Sequence, residues 1–257
     1  SRAVRFAEPD QRASASTTGQ PATFRCAYRR LFFDGRVVGR LEIAVEKDDR
    51  NSGLAFTSIF MKNRIGVEME KFMEAYTPIN ANYWELYRED KVSQEELRHG
   101  RLRETFDLLE VIVSDEQISI LSTDYIDHLP RHNHLLEGAV ELLEYLRPGY
   151  KLHIITNGFK TVQHLKMKNS GILDFFDTIT TSEDAGVKKP HRGIFLKALE
   201  DAGATVSESV MIGDNVEADI LGAREIGMRA ILYNYYGEPC TVDCPQVFKM
   251  EEIAGYL

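Results

Sequence analysis

Residues able to move a phosphoryl group stand at regular places in this chain. Thr156-Asn157-Gly158 closes the apolar run KLHII, and Lys189 lies within GVKKPHRGIF. Gly213-Asp214-Asn215 closes SVMI, and Asp219 follows five residues after Asp214. Far upstream, Asp34 closes Leu31-Phe32-Phe33. A carboxylate can attack phosphorus and form an acyl phosphate, dividing one hard step into two; Asp34 is the candidate nucleophile. Donors and cations must then surround the transferred charge. Thr156 offers a hydroxyl, Asn157 and Gly158 offer amide donors at a helix start, and Lys189 offers a point charge. Asp34 and Asp214 together offer hard oxygen ligands for Mg²⁺, which binds one or two carboxylates plus phosphate. Asp219 can reach back to order either the metal's shell or the lysine.

These residues need a scaffold that delivers them to one edge. From about residue 135 the text alternates strand and helix: HLLEGAVELLEYLRPGY, KLHIITNG, FKTVQHLKMKNSGI, FDTITTSEDAG, HRGIFLKALEDAG, SVMIGDN, EADILGAREIGM and RAILYNYY. That rhythm predicts right-handed crossovers and a parallel sheet covered on both faces. RRLFFD is expected to be its first strand. Ligands of such sheets bind beyond the carboxyl ends of the strands, where every candidate above falls. Lys189 precedes Pro190, which is expected in the first turn of the next helix. Between about residues 53 and 129 the pattern is helical instead. Phe72, Met73, Tyr76, Ile79, Tyr83, Leu86 and Tyr87 recur at spacings of three and four, and Ser93 with Glu96 forms a capping box, with Ser114 opening a further helix in the same way. The fold class expected is α/β: a Rossmann-like three-layer core with a parallel sheet and an inserted α-helical cap. Residues 28–50 and 130–257 form the core, and 51–129 the cap. Residues 1–27 are read as a disordered extension, because ASASTTGQPA and its surroundings carry little periodicity.

Bulk properties narrow the partners. The net charge of −9 over 257 residues argues against a nucleic-acid or membrane surface. No apolar run is long enough to span a bilayer, and the first residues lack a signal-peptide stretch. Three cysteines, Cys26, Cys240 and Cys244, do not make a disulfide framework, so a cytoplasmic location is expected. The partner expected is a small phosphorylated molecule, with the chain a monomer or homodimer.

Three of these stretches resemble the haloacid dehalogenase superfamily: IITNGF its second motif, GVKKPHRGIF its third, and VMIGDNVEADILGAREIGM its fourth. TPINANYWELYREDKVSQEELRHGRLRETF together with ITNGF is most similar to the bacterial pyrimidine 5′-nucleotidases. The resemblance implies a helical cap after the first motif and an Mg²⁺-dependent hydrolysis of nucleoside 5′-monophosphates. It implies Asp34 as nucleophile, Thr156 and Lys189 holding the phosphoryl group, and Asp214 ligating Mg²⁺. Trp84, the single tryptophan, would stack a base or pack within the cap. Bland alternatives stand beside the others: Asp214 as a helix cap, Thr156-Asn157-Gly158 as a plain turn, and Lys189 as a surface lysine, a role assigned to its neighbour Lys188. Glu183 and Asp184 are expected to cap a helix or lie near the metal rather than ligate it.

The first motif departs from the family. Where a second acid should stand two residues after the nucleophile there is Arg36, and where a threonine should stand there is Val38. A guanidinium stays protonated and cannot act as general acid and base, help that is typically worth ~10²–10⁴ in rate. Three accounts compete: a binding relative with impaired turnover, another acid such as Asp48 or Asp49, or an arginine-rich island at 35–50 that does not continue the ancestral text.

Overall fold

The computed structural model describes residues 37–41 and 49–257. Six parallel strands form one sheet in the order β3-β2-β1-β4-β5-β6. They are β1 (Val37–Leu41), β2 (Tyr150–Thr156), β3 (Thr178–Thr181), β4 (Ser209–Gly213), β5 (Arg229–Tyr233) and β6 (Gln246–Val247). The predicted α/β class is therefore present. Strand side chains alternate between faces, and the apolar runs feed two cores at once. Leu152, Ile154, Val210, Ile212 and Ile231 join one cluster with Leu142, Leu143 and Leu146 of α5 (Ala139–Leu146). Ile155, Met211 and Leu232 join another with Ile194, Phe195 and Ala198 of α8 (Arg192–Ala202). A sheet buried on both faces is why these strands read as unbroken apolar runs.

The central position belongs to β1, which pairs in parallel with β2 on one side and β4 on the other. The sequence placed the first strand at RRLFFD. RRLFFD lies outside the described residues; the described strand begins at Val37, where two β-branched residues in succession favour the extended backbone. Asp34 and the proposed extension at 1–27 lie outside the described residues. The short strand β6 was not anticipated, since two residues leave no period to detect.

The helical cap is built from α1 (Asp49–Asn63), α2 (Met69–Arg88), α3 (Gln94–Leu108) and α4 (Asp115–His128). Both expected capping boxes form: Glu96 N–H donates to Ser93 Oγ at 3.1 Å, and Gln117 N–H to Ser114 Oγ at 3.2 Å. The cap has its own aromatic core. Phe56 stacks on Tyr125 at 4.4 Å between ring centres and meets Phe72 and Tyr76 edge-on. Each such ring, fully buried, contributes about 1.5–3 kcal/mol. At Gly100 an added Cβ would sit 2.4 Å from Cε1 of Tyr83, so a larger residue there would require the Tyr83 ring to move.

The two segments joining cap and core are tied together. Asn51, 1 % exposed, donates from Nδ2 to the His134 carbonyl at 2.9 Å and accepts the His134 N–H at 3.2 Å.

Candidate active site

β2 ends in Thr156, and the chain turns through Asn157 and Gly158 into α6 (Lys160–Asn169). Thr156 Oγ1 accepts the Gly158 N–H at 2.9 Å, which fixes the turn. Asn157 then does something its sequence position did not disclose. Its Nδ2 donates to the Lys189 carbonyl at 3.0 Å, and its Oδ1 accepts the Lys189 N–H at 2.8 Å. The side-chain amide mimics a strand partner and clamps the lysine loop to the end of β2. Its expected role as a substrate donor thus falls to its backbone, because the side chain is committed. Pro190 precedes His191, the N-cap of α8, so the lysine lies ahead of the helix rather than in its first turn.

Lys189 is 4 % exposed, which removes the surface-lysine alternative. Its ammonium donates to the Ile155 carbonyl at 3.0 Å and pairs with Asp219 Oδ1 at 2.8 Å. Asp219, 1 % exposed, also accepts the Asn215 N–H through Oδ2 at 3.0 Å. Of the two roles open to Asp219, ordering the lysine is the one with geometry behind it. The backbone makes this possible. Val216–Leu221 is a π-helical segment rather than an α-helix, and a wider turn swings Asp219 back over the end of β4. Such segments occur often at functional sites. Gly213 completes the fit, since a Cβ there would lie 2.4 Å from Asp219 Oδ2.

Asp214 follows β4 directly and is half-buried. The helix-cap role is taken by Asn215, whose Oδ1 accepts the Ala218 N–H at 2.8 Å, so Asp214 is not needed as a cap. Glu183 and Asp184 do cap, as expected. Glu183 accepts the Lys160 N–H at 3.0 Å, and Asp184 accepts from the Thr181 hydroxyl at 2.7 Å. The hydrogen bond from the Lys160 ammonium, outweighing burial, holds Asp184 below the usual carboxylate range.

A cavity of 470 Å³ opens between these strand ends and the cap. Ligand sites of small molecules typically run to about 300–1,000 Å³. Asn157, Gly158, Lys189, Asp214, Asp219 and Trp84 all line it, so the structure brings six of the expected residues to one place. Thr156 lies behind the lining, and Asp34 is outside the described residues. Trp84 both packs and lines: its ring sits 5.7 Å from Phe159 and 5.8 Å from Tyr87 while facing the cavity. Lys188 is not a solvated surface residue. It ion-pairs with Asp90 beyond α2 and lies 4.2 Å from the Tyr87 ring centre, joining core to cap. Among the lining residues that went unread in the sequence are Asn80 of α2 and Arg101 of α3. An arginine within RHGRLRE resembles a solvated helix face, and nothing in its spacing says otherwise.

Among the described residues no three carboxylate, histidine or cysteine side chains gather as a metal site. The donor chemistry nonetheless suits one side of an Mg²⁺ shell. Asp214 lines the cavity beside Lys189, while the Asp219 oxygens are engaged by Lys189 and the Asn215 N–H. Mg²⁺ keeps several waters and needs few protein carboxylates when phosphate is bound. No helix of the described residues is long and apolar enough to cross a membrane.

Comparison with known proteins points the same way. The family described as haloacid dehalogenase-like hydrolase matches residues 65–233. The chain is 33 % identical over 177 residues to pyrimidine 5′-nucleotidase YjjG of Escherichia coli, covering 68 % of this chain and 76 % of that one. It is 27 % identical over 209 residues to pyrimidine 5′-nucleotidase PynA of Streptococcus pneumoniae, covering 80 % and 84 %. The crystal structure of the HAD-hydrolase YfnB of Bacillus subtilis bound to magnesium superposes with a TM-score of 0.76 at 22 % identity, covering 86 % of this chain and 97 % of that one.

Proposed function

Because the chain belongs to the haloacid dehalogenase-like hydrolase family, we propose that it is an Mg²⁺-dependent phosphomonoester hydrolase acting on nucleoside 5′-monophosphates through a phosphoaspartate intermediate. The observation that carries this reading is the buried Lys189–Asp219 pair at the strand ends, facing one cavity with Asp214. An ammonium held there by a carboxylate and a carbonyl is preorganised to receive a dianionic phosphoryl group. The similarity to two pyrimidine 5′-nucleotidases supports the choice of substrate class.

In the proposed reaction the first-motif carboxylate, assigned to Asp34, forms an O–P bond as the ester P–O bond breaks. The leaving nucleoside oxygen takes its proton from solvent water, and a second water then attacks phosphorus, gives up a proton to solvent and breaks the O–P bond to the aspartate, releasing inorganic phosphate. Lys189 and the backbone donors at Asn157 and Gly158 hold the phosphoryl oxygens, and the Thr156 hydroxyl shapes their turn. When bound, Mg²⁺ would neutralise charge on the phosphoryl group, with Asp214 and Asp34 as its carboxylate ligands. The core of residues 28–50 and 130–257 and the cap of residues 51–129 belong to the same proposal, with the cap closing to exclude water.

A second reading has one observation in its favour. Arg36 stands where the general acid is expected, so the chain would bind nucleotides without efficient turnover. Phosphate release from a panel of nucleoside monophosphates, with and without Mg²⁺, separates the two. Turnover that depends on Mg²⁺ and is lost in Asp34→Asn supports the hydrolase. Binding without turnover, with activity gained in Arg36→Asp, supports the impaired relative. Turnover that survives Asp34→Asn would remove Asp34 as the nucleophile.

A further inference from the structure

The cap contributes a cation to the cavity that the hydrolytic reaction does not use. Arg101 of α3 is 4 % exposed. Its Nη1 donates to Asn80 Oδ1 at 2.7 Å, and its guanidinium carbon lies 5.0 Å from the Tyr125 ring centre and 5.8 Å from that of Tyr76. Its Nε meets no acceptor among the described residues, and none of their carboxylates forms an ion pair with it. A buried guanidinium with a single neutral acceptor has given up water without full replacement.

Asn80 sharpens what could answer that charge. Its Oδ1 accepts from both Arg101 Nη1 and the Tyr76 hydroxyl, the latter at 3.3 Å. Two donors on one oxygen fix which way the amide points. The Nδ2 hydrogens are therefore the end left for the cavity that Asn80 lines. Asn80 and Arg101 together present donors and no acceptor. One turn further along α2 from Asn80, Trp84 lines the same cavity with its ring.

We propose that Asn80 and Arg101 are the specificity-determining pair of the cap, reading the carbonyl oxygens of a pyrimidine base on the leaving nucleoside. The proposal rests on the nucleotidase reading above and names what selects the substrate within it. A donor-only surface pairs with the O2 carbonyl shared by uracil and cytosine. Adenine offers no carbonyl and presents an amino donor. Ribose 5-phosphate keeps the phosphate and lacks the base altogether.

The test compares kcat/KM for UMP, AMP and ribose 5-phosphate in the unmodified chain, Arg101→Gln and Asn80→Asp, with Kd for the same three compounds by calorimetry. Asn80→Asp is the informative variant, because its carboxylate pairs with Arg101 and supports the fold while replacing a donor by an acceptor. Hydrogen bonds to charged groups are worth about 1.5–3 kcal/mol, or roughly 10- to 100-fold. The preference for UMP over AMP and over ribose 5-phosphate should fall by about that factor in both variants. Preferences that stay unchanged in folded variants overturn the proposal, as does an equal loss for all three compounds. If no ester is hydrolysed by any form, the hydrolase reading fails, while the Kd ratios still decide whether the pair reads a base.

Discussion

Asp219→Ala tests the centre of the site most directly. Asp219 and Lys189 are 1 % and 4 % exposed, and their charged atoms are 2.8 Å apart. Removing one partner of a buried pair costs about 3–5 kcal/mol, mostly because the other charge loses its compensation. For a chain of this size each kcal/mol shifts Tm by about 2–4 °C, so Asp219→Ala should melt roughly 6–20 °C lower. Lys189→Met should cost a comparable amount, since the buried carboxylate then loses the ammonium 2.8 Å from its Oδ1. In the double variant both charges are gone, and the combined loss should fall short of the sum of the single losses by up to about 3 kcal/mol. Urea unfolding of all four proteins gives the coupling directly. A coupling energy indistinguishable from zero would refute the reasoning, because it would mean that each charge is satisfied without the other. Phosphate affinity supplies an independent check: Asp219→Ala retains the ammonium but frees its position, so inorganic phosphate should bind more weakly while still binding.

Two further outcomes follow from neighbouring contacts. Asn157→Ala leaves the buried N–H and carbonyl of Lys189 without their side-chain partners; unfolding experiments should show a loss of about 1–3 kcal/mol, with weaker phosphate binding because the lysine loop is unclamped. Burial pushes the Asp124 carboxyl up, but hydrogen bonds from Lys62 and Asn63 outweigh it and leave it below its ordinary range. A carboxyl depressed in the folded state contributes stability above its unfolded value of about 3.9. That contribution is lost as pH falls below this value through the lower folded one, so thermal melts should show a smaller loss of stability across that acidic window in Asp124→Asn than in the unmodified chain.

The parts legible in the sequence were those with a period or a local hydrogen bond. Apolar runs such as KLHII and SVMI announced buried strands, and Ser93 with Glu96 announced a helix start, because both signals are local. Lys189 and Asp219 could be named as partners because each follows a strand whose end faces the same edge. The reciprocal clamp of Asn157 on Lys189 was invisible, since it joins residues 32 apart in sequence through a side chain that also suits a plain turn. The π-helical segment was hidden for a different reason: VEADIL has an ordinary helical pattern, and the wider turn shows only in which carbonyl the amides reach. Arg101 was hidden by its charge, which at a helix position reads as solvent until a cavity is found beside it.

The direction of β1 sets the last constraint. Leu41 pairs level with Ile212, one residue before Gly213 and two before Asp214. The carboxyl end of β1 is thus the end beside the cavity, and its amino end at Val37 points the other way. The first acid that follows Leu41 in sequence is Glu42, which like Asp34 lies outside the described residues. Asp34 precedes Val37 in the chain. The likeness of LFFD to a strand with its nucleophile and the position of VVGRL at the centre of the sheet point to different acids for the first motif. Comparing Glu42→Gln with Asp34→Asn resolves the conflict. Loss of turnover in Glu42→Gln alone would give the first-motif role to Glu42, and loss in Asp34→Asn alone would give it to Asp34.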